Sequence, residues 1–283
     1  MRLLLTNDDG IHSPGLHALA QHLSSLDYDL VVAAPQVDMS GASAAIGRLH
    51  ADEHIDITRV PVPGVDRLEG FAVAGPPALA AMAARLGAFG DPPDIVVSGV
   101  NTGLNTGHSV LHSGTVGAAL TAQNFGGSGL AVSIEATDPW HFETACEYAA
   151  ATLKWMIDEA PDCTVVNLNV PGRPRDDVLG LRWAHLDRFG SVRAAVAESD
   201  TDGLQIEFRE TGAKLEPESD TALVLEGYAT LTTITGVSEV TITPKEPRGI
   251  EQPQVERSVE SVPCHGDVEV PTQPLQLTGS RGR

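Results

Sequence analysis

The first apolar run of the chain, Leu3-Leu4-Leu5, breaks off into Thr6-Asn7-Asp8-Asp9-Gly10. A continuous apolar run this short reads as a buried strand, and the polar residues with Gly10 read as the turn that ends it. Ser13 is a favourable helix cap and Pro14 suits a first helical turn, after which Leu16, Leu19, Ala20 and Leu23 recur at helical spacing. Leu30-Val31-Val32-Ala33 supplies a second strand, closed by Pro35. The pattern then repeats. A helix is predicted over 78–86, and a strand at Ile95-Val96-Val97 opens into Gly99-Val100-Asn101. Ser113-Gly114-Thr115 begins another helix, and a strand runs from Leu130 to Ile134. A longer helix from Phe142 to Ile157 gathers Ala145, Ala149, Leu153 and Met156 on one face, and 164–167 reads as a further strand. This alternation predicts an α/β fold, a Rossmann-like, mostly parallel sheet flanked by helices.

The texture changes beyond Pro171. Gln205 to Phe208 and Ala229 to Thr235 are β-like, with the acidic stretch Glu216-Pro217-Glu218-Ser219-Asp220 between them. The expected organisation is a Rossmann-like catalytic domain over 1–172 and a smaller β-rich C-terminal extension over 173–245. That extension is expected to complete the fold. A flexible tail dense in Pro, Glu, Gln and Ser is expected over 246–283.

Composition narrows the partners. Asp and Glu number 38 against 18 Lys and Arg, a formal net charge of -20 that opposes attraction to nucleic-acid polymers and anionic membrane surfaces. A small anionic substrate remains compatible, because a bound cation or aligned backbone N–H groups reverse the potential locally. Cys146, Cys163 and Cys264 are too scattered for a disulfide framework or a zinc site. No apolar stretch reaches the roughly 20 residues needed to cross a bilayer. A cytoplasmic location is the expectation.

Open parallel sheets bind ligands beyond the carboxyl ends of their strands, and Asp8-Asp9 stands at such an end. Two adjacent carboxylates repel, so a cation beside them accounts for the pair, and a turn-forming Asp pair before Gly10 is the plain alternative. Two more polar loops follow strand ends. These are Asp38-Met39-Ser40-Gly41-Ala42-Ser43 and Ser98-Gly99-Val100-Asn101-Thr102-Gly103-Leu104-Asn105-Thr106-Gly107. Their carboxylate, hydroxyl and carboxamide oxygens are hard ligands that suit magnesium or manganese. Ser113-Gly114-Thr115-Val116-Gly117, at a predicted helix start, fits either an ordinary N-cap or a phosphate nest. A P-loop is excluded by the lack of a glycine-rich loop ending in Lys-Ser or Lys-Thr, and Asp8-Asp9 lacks Asp-x-Asp spacing. A receiver domain needs a lysine that the sheet region before Lys154 does not contain.

Taken in order, these motifs resemble the SurE (survival protein E) family of metal-dependent nucleotidases. The resemblance is carried by Leu3 through Gly15, Ser40-Gly41-Ala42-Ser43, Val96 through Gly107 and Ser113-Gly114-Thr115-Val116. It continues more weakly at Asn167-Leu168-Asn169-Val170-Pro171 and Glu226-Gly227-Tyr228. It implies 5′/3′-nucleotidase activity on nucleoside monophosphates, with one divalent cation, Mg2+ or Mn2+, per subunit. It further implies that Asp8, Asp9, Ser40 and Asn101 hold the metal, and that Asn105, Ser113, Gly114 and Thr115 lie on the phosphate side. Asp8, Asp9 and Asn105 are the catalytic candidates, and a homodimer or homotetramer, assembled through the β-rich extension, is the implied assembly. Departures lie around the substrate. Gln36-Val37-Asp38-Met39 stands where the family carries basic residues, Ala74-Gly75-Pro76-Pro77-Ala78 replaces a Thr-Pro-x-Asp-Cys segment, and His108-Ser109 replaces acidic residues. Two competing readings follow from them: a nucleotide- or phosphate-binding regulatory protein with little turnover, and a phosphatase for a non-nucleotide phosphomonoester.

Overall fold

The structure, a computed structural model, describes residues 1–49, 54–188 and 214–238, and the backbone of 192–199 and 204–210. The chain begins with β1 (Arg2–Thr6), α1 (Pro14–Ser24) and β2 (Asp29–Pro35). There follow β3 (Ile57–Pro61), β4 (Glu69–Val73), α2 (Pro77–Arg85), β5 (Ile95–Thr102), α3 (Gly114–Asn124), β6 (Ser128–Ile134), α4 (Phe142–Asp158) and β7 (Val165–Val170). The C-terminal part adds β8 (Leu181–Trp183), β9 (Val192–Ser199), β10 (Leu204–Glu210), α5 (Asp220–Glu226) and β11 (Ala229–Ile234).

Nine strands form one sheet in the order β3-β4-β2-β1-β5-β6-β7-β11-β8. The pairs from β4 through β7 are parallel, whereas β3 and β11 join antiparallel to β4 and β7. This is the mostly parallel α/β sheet expected from the alternating pattern. Its central strands are buried on both faces: α1 and α4 pack against Leu3, Leu5, Val97 and Leu168 on one side. Leu4, Val31 and Val96 with residues of α2 and α3 form the other layer. Ser13 accepts the Leu16 N–H at 3.3 Å and caps α1, and Leu16, Leu19, Ala20 and Leu23 are all buried.

Several features were not expected, among them β8 and β9. The segment between β2 and α2 supplies β3 and β4, short strands whose outer member is largely exposed and so carries no clear alternation. The acidic stretch before β11 opens α5, with Ser219 as its cap. β5 also runs on to Thr102 through a bulge, since Ser98 and Asn101 pair with Ala131 and Ser133 and leave Gly99 and Val100 opposite Val132 alone. A Cβ at Gly99 would stand 2.3 Å from the Val132 carbonyl oxygen, and one at Gly15 would stand 2.1 Å from that of Val100. Both glycines permit close backbone contacts around the carboxyl end of β5, where Asn101 lies.

Within 173–245, β8, α5 and β11 attach to the main sheet, while β9 and β10 form a separate antiparallel pair. The tail expected over 246–283 lies outside the described residues. Among the described residues no helix is long and apolar enough to cross a membrane.

Candidate active site

The chain leaves β1 toward β2 and β4 on one side and returns through β5, β6 and β7 on the other. The order therefore reverses at the crevice between β1 and β5, the place where open sheets of this kind bind ligands. Asp8 and Asp9 follow β1 and Asn101 lies in the last residues of β5, so two of the three expected metal-binding segments flank that crevice. The third is tied to them by backbone: the Met39 N–H donates to the Asp8 carbonyl oxygen at 2.7 Å.

Asp8 is only 3% exposed. The Thr115 hydroxyl donates to its Oδ1 at 2.5 Å, and the backbone of Thr115 and Gly114 also favours its ionised form. Burial is the larger influence, and its pKa is raised. A Cβ at Gly114 would stand 2.8 Å from both Cβ and Oδ2 of Asp8, so the start of α3 approaches the carboxylate this closely only with glycine there. Asp9 is pushed up to about 6, first by burial, then by the charges of Asp8 and Asp38; the Thr102 backbone works the other way. Its Oδ2 is buried and has no hydrogen-bond partner among the described residues. A buried carboxylate oxygen left unsatisfied is costly, and a cation bound there would remove the cost.

Asp38 holds Ser40, accepting its N–H at 2.8 Å and its hydroxyl at 2.6 Å on one oxygen, and these bonds lower the Asp38 pKa. Asn101 donates its amide to the Gly103 carbonyl at 2.7 Å, which leaves the carboxamide oxygen as its ligand end. Among the described residues no three His, Cys, Asp or Glu side chains converge as a metal cluster. A cation here thus depends on the Ser40 hydroxyl and the Asn101 carboxamide as well as on Asp8 and Asp9. That all-oxygen set fits magnesium or manganese.

Ser113 is the N-cap of α3 and accepts the Val116 N–H at 3.1 Å, so the cap reading holds at this residue. Gly114 and Thr115 direct their groups to Asp8. Asn105 is held by β6 and β7: its Nδ2 donates to Ser133 at 2.8 Å, and its backbone is bonded by Asn167 and Asn169. Ser133, Asp187 and Asp220 are site-supporting residues that sequence reasoning did not single out. Asn167 and Asn169 carried a signal, two carboxamides two residues apart on an otherwise apolar strand. His12, His108 and His112 are exposed. A separate cavity of about 700 Å³ lies between α1 and α4, bordered by His22, Trp140, Phe142 and Arg175 and by none of the carboxylates of the site.

The family model for Survival protein SurE matches residues 3–191, a range that takes in Asp8, Asp9, Ser40, Asn101, Asn105 and Ser113 to Thr115. The chain belongs to the SurE family. It is 33% identical to the 5′-nucleotidase SurE of Aeromonas hydrophila, over 83% of this chain and 92% of that one. The 5′-nucleotidase SurE of Methylobacillus flagellatus is 37% identical over 72% of this chain and 78% of its own. The crystal structure of the SurE protein from Aquifex aeolicus superposes with a TM-score of 0.70 at 27% identity, covering 83% of this chain and 93% of that one. The departures at Gln36 to Met39 therefore belong to a SurE chain in which Asp38, one of the replaced positions, grips Ser40.

Proposed function

We propose that this SurE-family chain is a divalent-metal-dependent phosphomonoesterase that hydrolyses nucleoside monophosphates to nucleoside and phosphate. The observation that carries the reading is the buried, unpartnered Oδ2 of Asp9 beside Asp8 at the crevice where the strand order reverses. The names of the relatives supply the nucleotide. Asp8, Asp9, Ser40 and Asn101 would hold Mg2+ or Mn2+, which when bound would supply positive charge toward the phosphate and lower the pKa of water. Asp8, gripped by Thr115, serves as the fixed ligand. Asp9, with an oxygen that no group among the described residues satisfies, orients the attacking water and takes its proton as the water oxygen bonds to phosphorus. The bond from phosphorus to the leaving oxygen breaks, and that oxygen takes a proton from solvent. The Asn105 amide and the Ser113 hydroxyl donate to the phosphate as negative charge builds on it.

The full chain is to be assayed for phosphate release from nucleoside 5′- and 3′-monophosphates, polyphosphate and an aryl phosphate. Release that disappears on chelation and returns with Mn2+ or Mg2+ is expected with the nucleotides. Metal-dependent release from the aryl phosphate alone would move the substrate outside nucleotides, and no release from any of them overturns the reading. Gly114→Ala gives a second check. Its Cβ would push the Asp8 carboxylate off its place, and Mn2+ affinity by titration calorimetry is expected to fall roughly tenfold or more. An unchanged affinity removes Asp8 from the ligand set.

A further inference from the structure

Asn105 is held in a way that its own loop does not explain. Asn169 bonds its backbone twice, Oδ1 accepting the Asn105 N–H at 2.8 Å and Nδ2 donating to the Asn105 carbonyl at 2.9 Å. Asn167 donates a second amide to the same carbonyl at 2.8 Å, and the Ser133 hydroxyl accepts from the Asn105 Nδ2 at 2.8 Å. A side-chain carboxamide here does what a neighbouring strand's peptide would do, offering one donor and one acceptor to a residue that has left the sheet.

The three partners are fully buried, each with 0% exposure. They also belong to a polar row across the sheet, for Asn101 pairs in register with Ser133, Ser133 with Asn169 and Asn169 with Thr230. Paired residues share a face. On this face Asn167 pairs with Ala131, which packs against Val116 and Ala119 of α3, so the row lies on the side of the sheet covered by α3. Asn105 is therefore clamped on the same side as Ser113, Gly114 and Thr115. A buried strand such as Val165–Val170 would pack as well or better with apolar residues at 167 and 169, because carboxamides in a core cost free energy unless bonded. Their bonds go to one loop residue.

We propose that Asn167, Asn169 and Ser133 are positioning residues that fix Asn105 for phosphate. Ser133 takes one hydrogen of the Asn105 amide and sets the plane of the carboxamide, so that the second N–H faces the substrate. Asn167 and Asn169 fix the main chain beneath it. The inference rests on the phosphatase reading above for the place of the substrate, and it extends the machinery to three core positions that touch neither metal nor phosphate.

Ser133→Ala removes a single hydroxyl and leaves a small side chain in place, whereas Asn169→Ala removes the two-point clamp. For both, kcat, KM, Mn2+ affinity and the affinity of the Mn2+-loaded protein for inorganic phosphate are to be measured beside wild type. A fall in kcat of roughly 10- to 100-fold is expected. Mn2+ affinity should change less than about threefold, while phosphate affinity drops and KM rises by a similar factor. A defect that was merely structural would lower metal affinity and thermal stability together with kcat, and that pattern overturns the proposal. So does wild-type kcat in Ser133→Ala, which alone decides the matter where Asn169→Ala does not fold. Should wild type release no phosphate from any substrate, the phosphatase reading fails by itself. Phosphate affinity then judges the clamp: a weaker Ser133→Ala supports it, and equal binding, or none in wild type, overturns it.

Discussion

Replacing Asp9 with asparagine is expected to lower metal-dependent phosphate release by roughly a hundredfold or more while making the metal-free protein more stable. Both effects have one origin. The Asp9 carboxyl is pushed from its ordinary value of 3.8 up to about 6, chiefly by burial, then by the charges of Asp8 and Asp38. Because the folded chain holds this proton more tightly than the unfolded one, the favourable contribution is complete below the ordinary value. It is lost as pH rises through about 6. At neutral pH the metal-free fold thus carries an ionised, partly buried carboxylate. Asparagine removes that burden, worth about 1 to 2 kcal/mol once solvent screening of the partly exposed group is discounted. The same proton competes with the cation. Lowering the pH through about 6 should weaken Mn2+ binding progressively in wild type, and the Asp9→Asn variant should show weak binding with little of that dependence. Thermal melts of the metal-free forms and Mn2+ titrations across this window are the measurements. A variant that melts lower than wild type, or binds Mn2+ as tightly, contradicts the assignment.

The largest loss of stability is expected from Asp220→Ala. Asp220 has 0% exposure, and its carboxylate accepts the N–H groups of Gly107, Asp187 and Thr221 at 2.9, 2.9 and 2.7 Å. Alanine leaves three donors without this acceptor, at a cost of about 3 kcal/mol or more. For a chain of this size that corresponds to a fall in Tm of roughly 10 °C. Asp220→Asn keeps an acceptor oxygen and should lose about a third as much. Asp220 also anchors the segment just after Asn105, because Gly107 takes its bond from α5, an element more than a hundred residues later in the chain. Phosphate release by the alanine variant, measured well below its melting point, is expected to fall in kcat before Mn2+ affinity changes. Wild-type Tm in that variant would show that the three amides find other partners.

Much of the crevice is legible from local pattern. Leu3 to Leu5 followed by Asp8 and Asp9 states that a buried strand ends in acids, and the cap at Ser13 with the spacing of Leu16 to Leu23 states that a helix follows. Periodicity is a property of neighbouring residues, so it survives in a single sequence. β3 escaped for the same reason, since its mostly exposed residues impose no apolar period. α5 escaped because its acidic start reads as a solvated turn; the donors that allow Asp220 to be buried lie at Gly107 and Asp187.

The amino-acid order by itself determined the fold class, the strand ends that carry chemistry and the acids at the first of them. Tertiary structure decided what those groups are worth. It buried Asp8 against α3 and left an oxygen of Asp9 unsatisfied. It also turned Asp38 from a missing positive charge into the grip on Ser40, and joined Asn105 to residues 62 and 64 positions away. The division has a physical cause. Backbone preference and apolar period are set within a few residues, whereas desolvation and hydrogen-bond satisfaction depend on whichever distant segments the fold brings alongside.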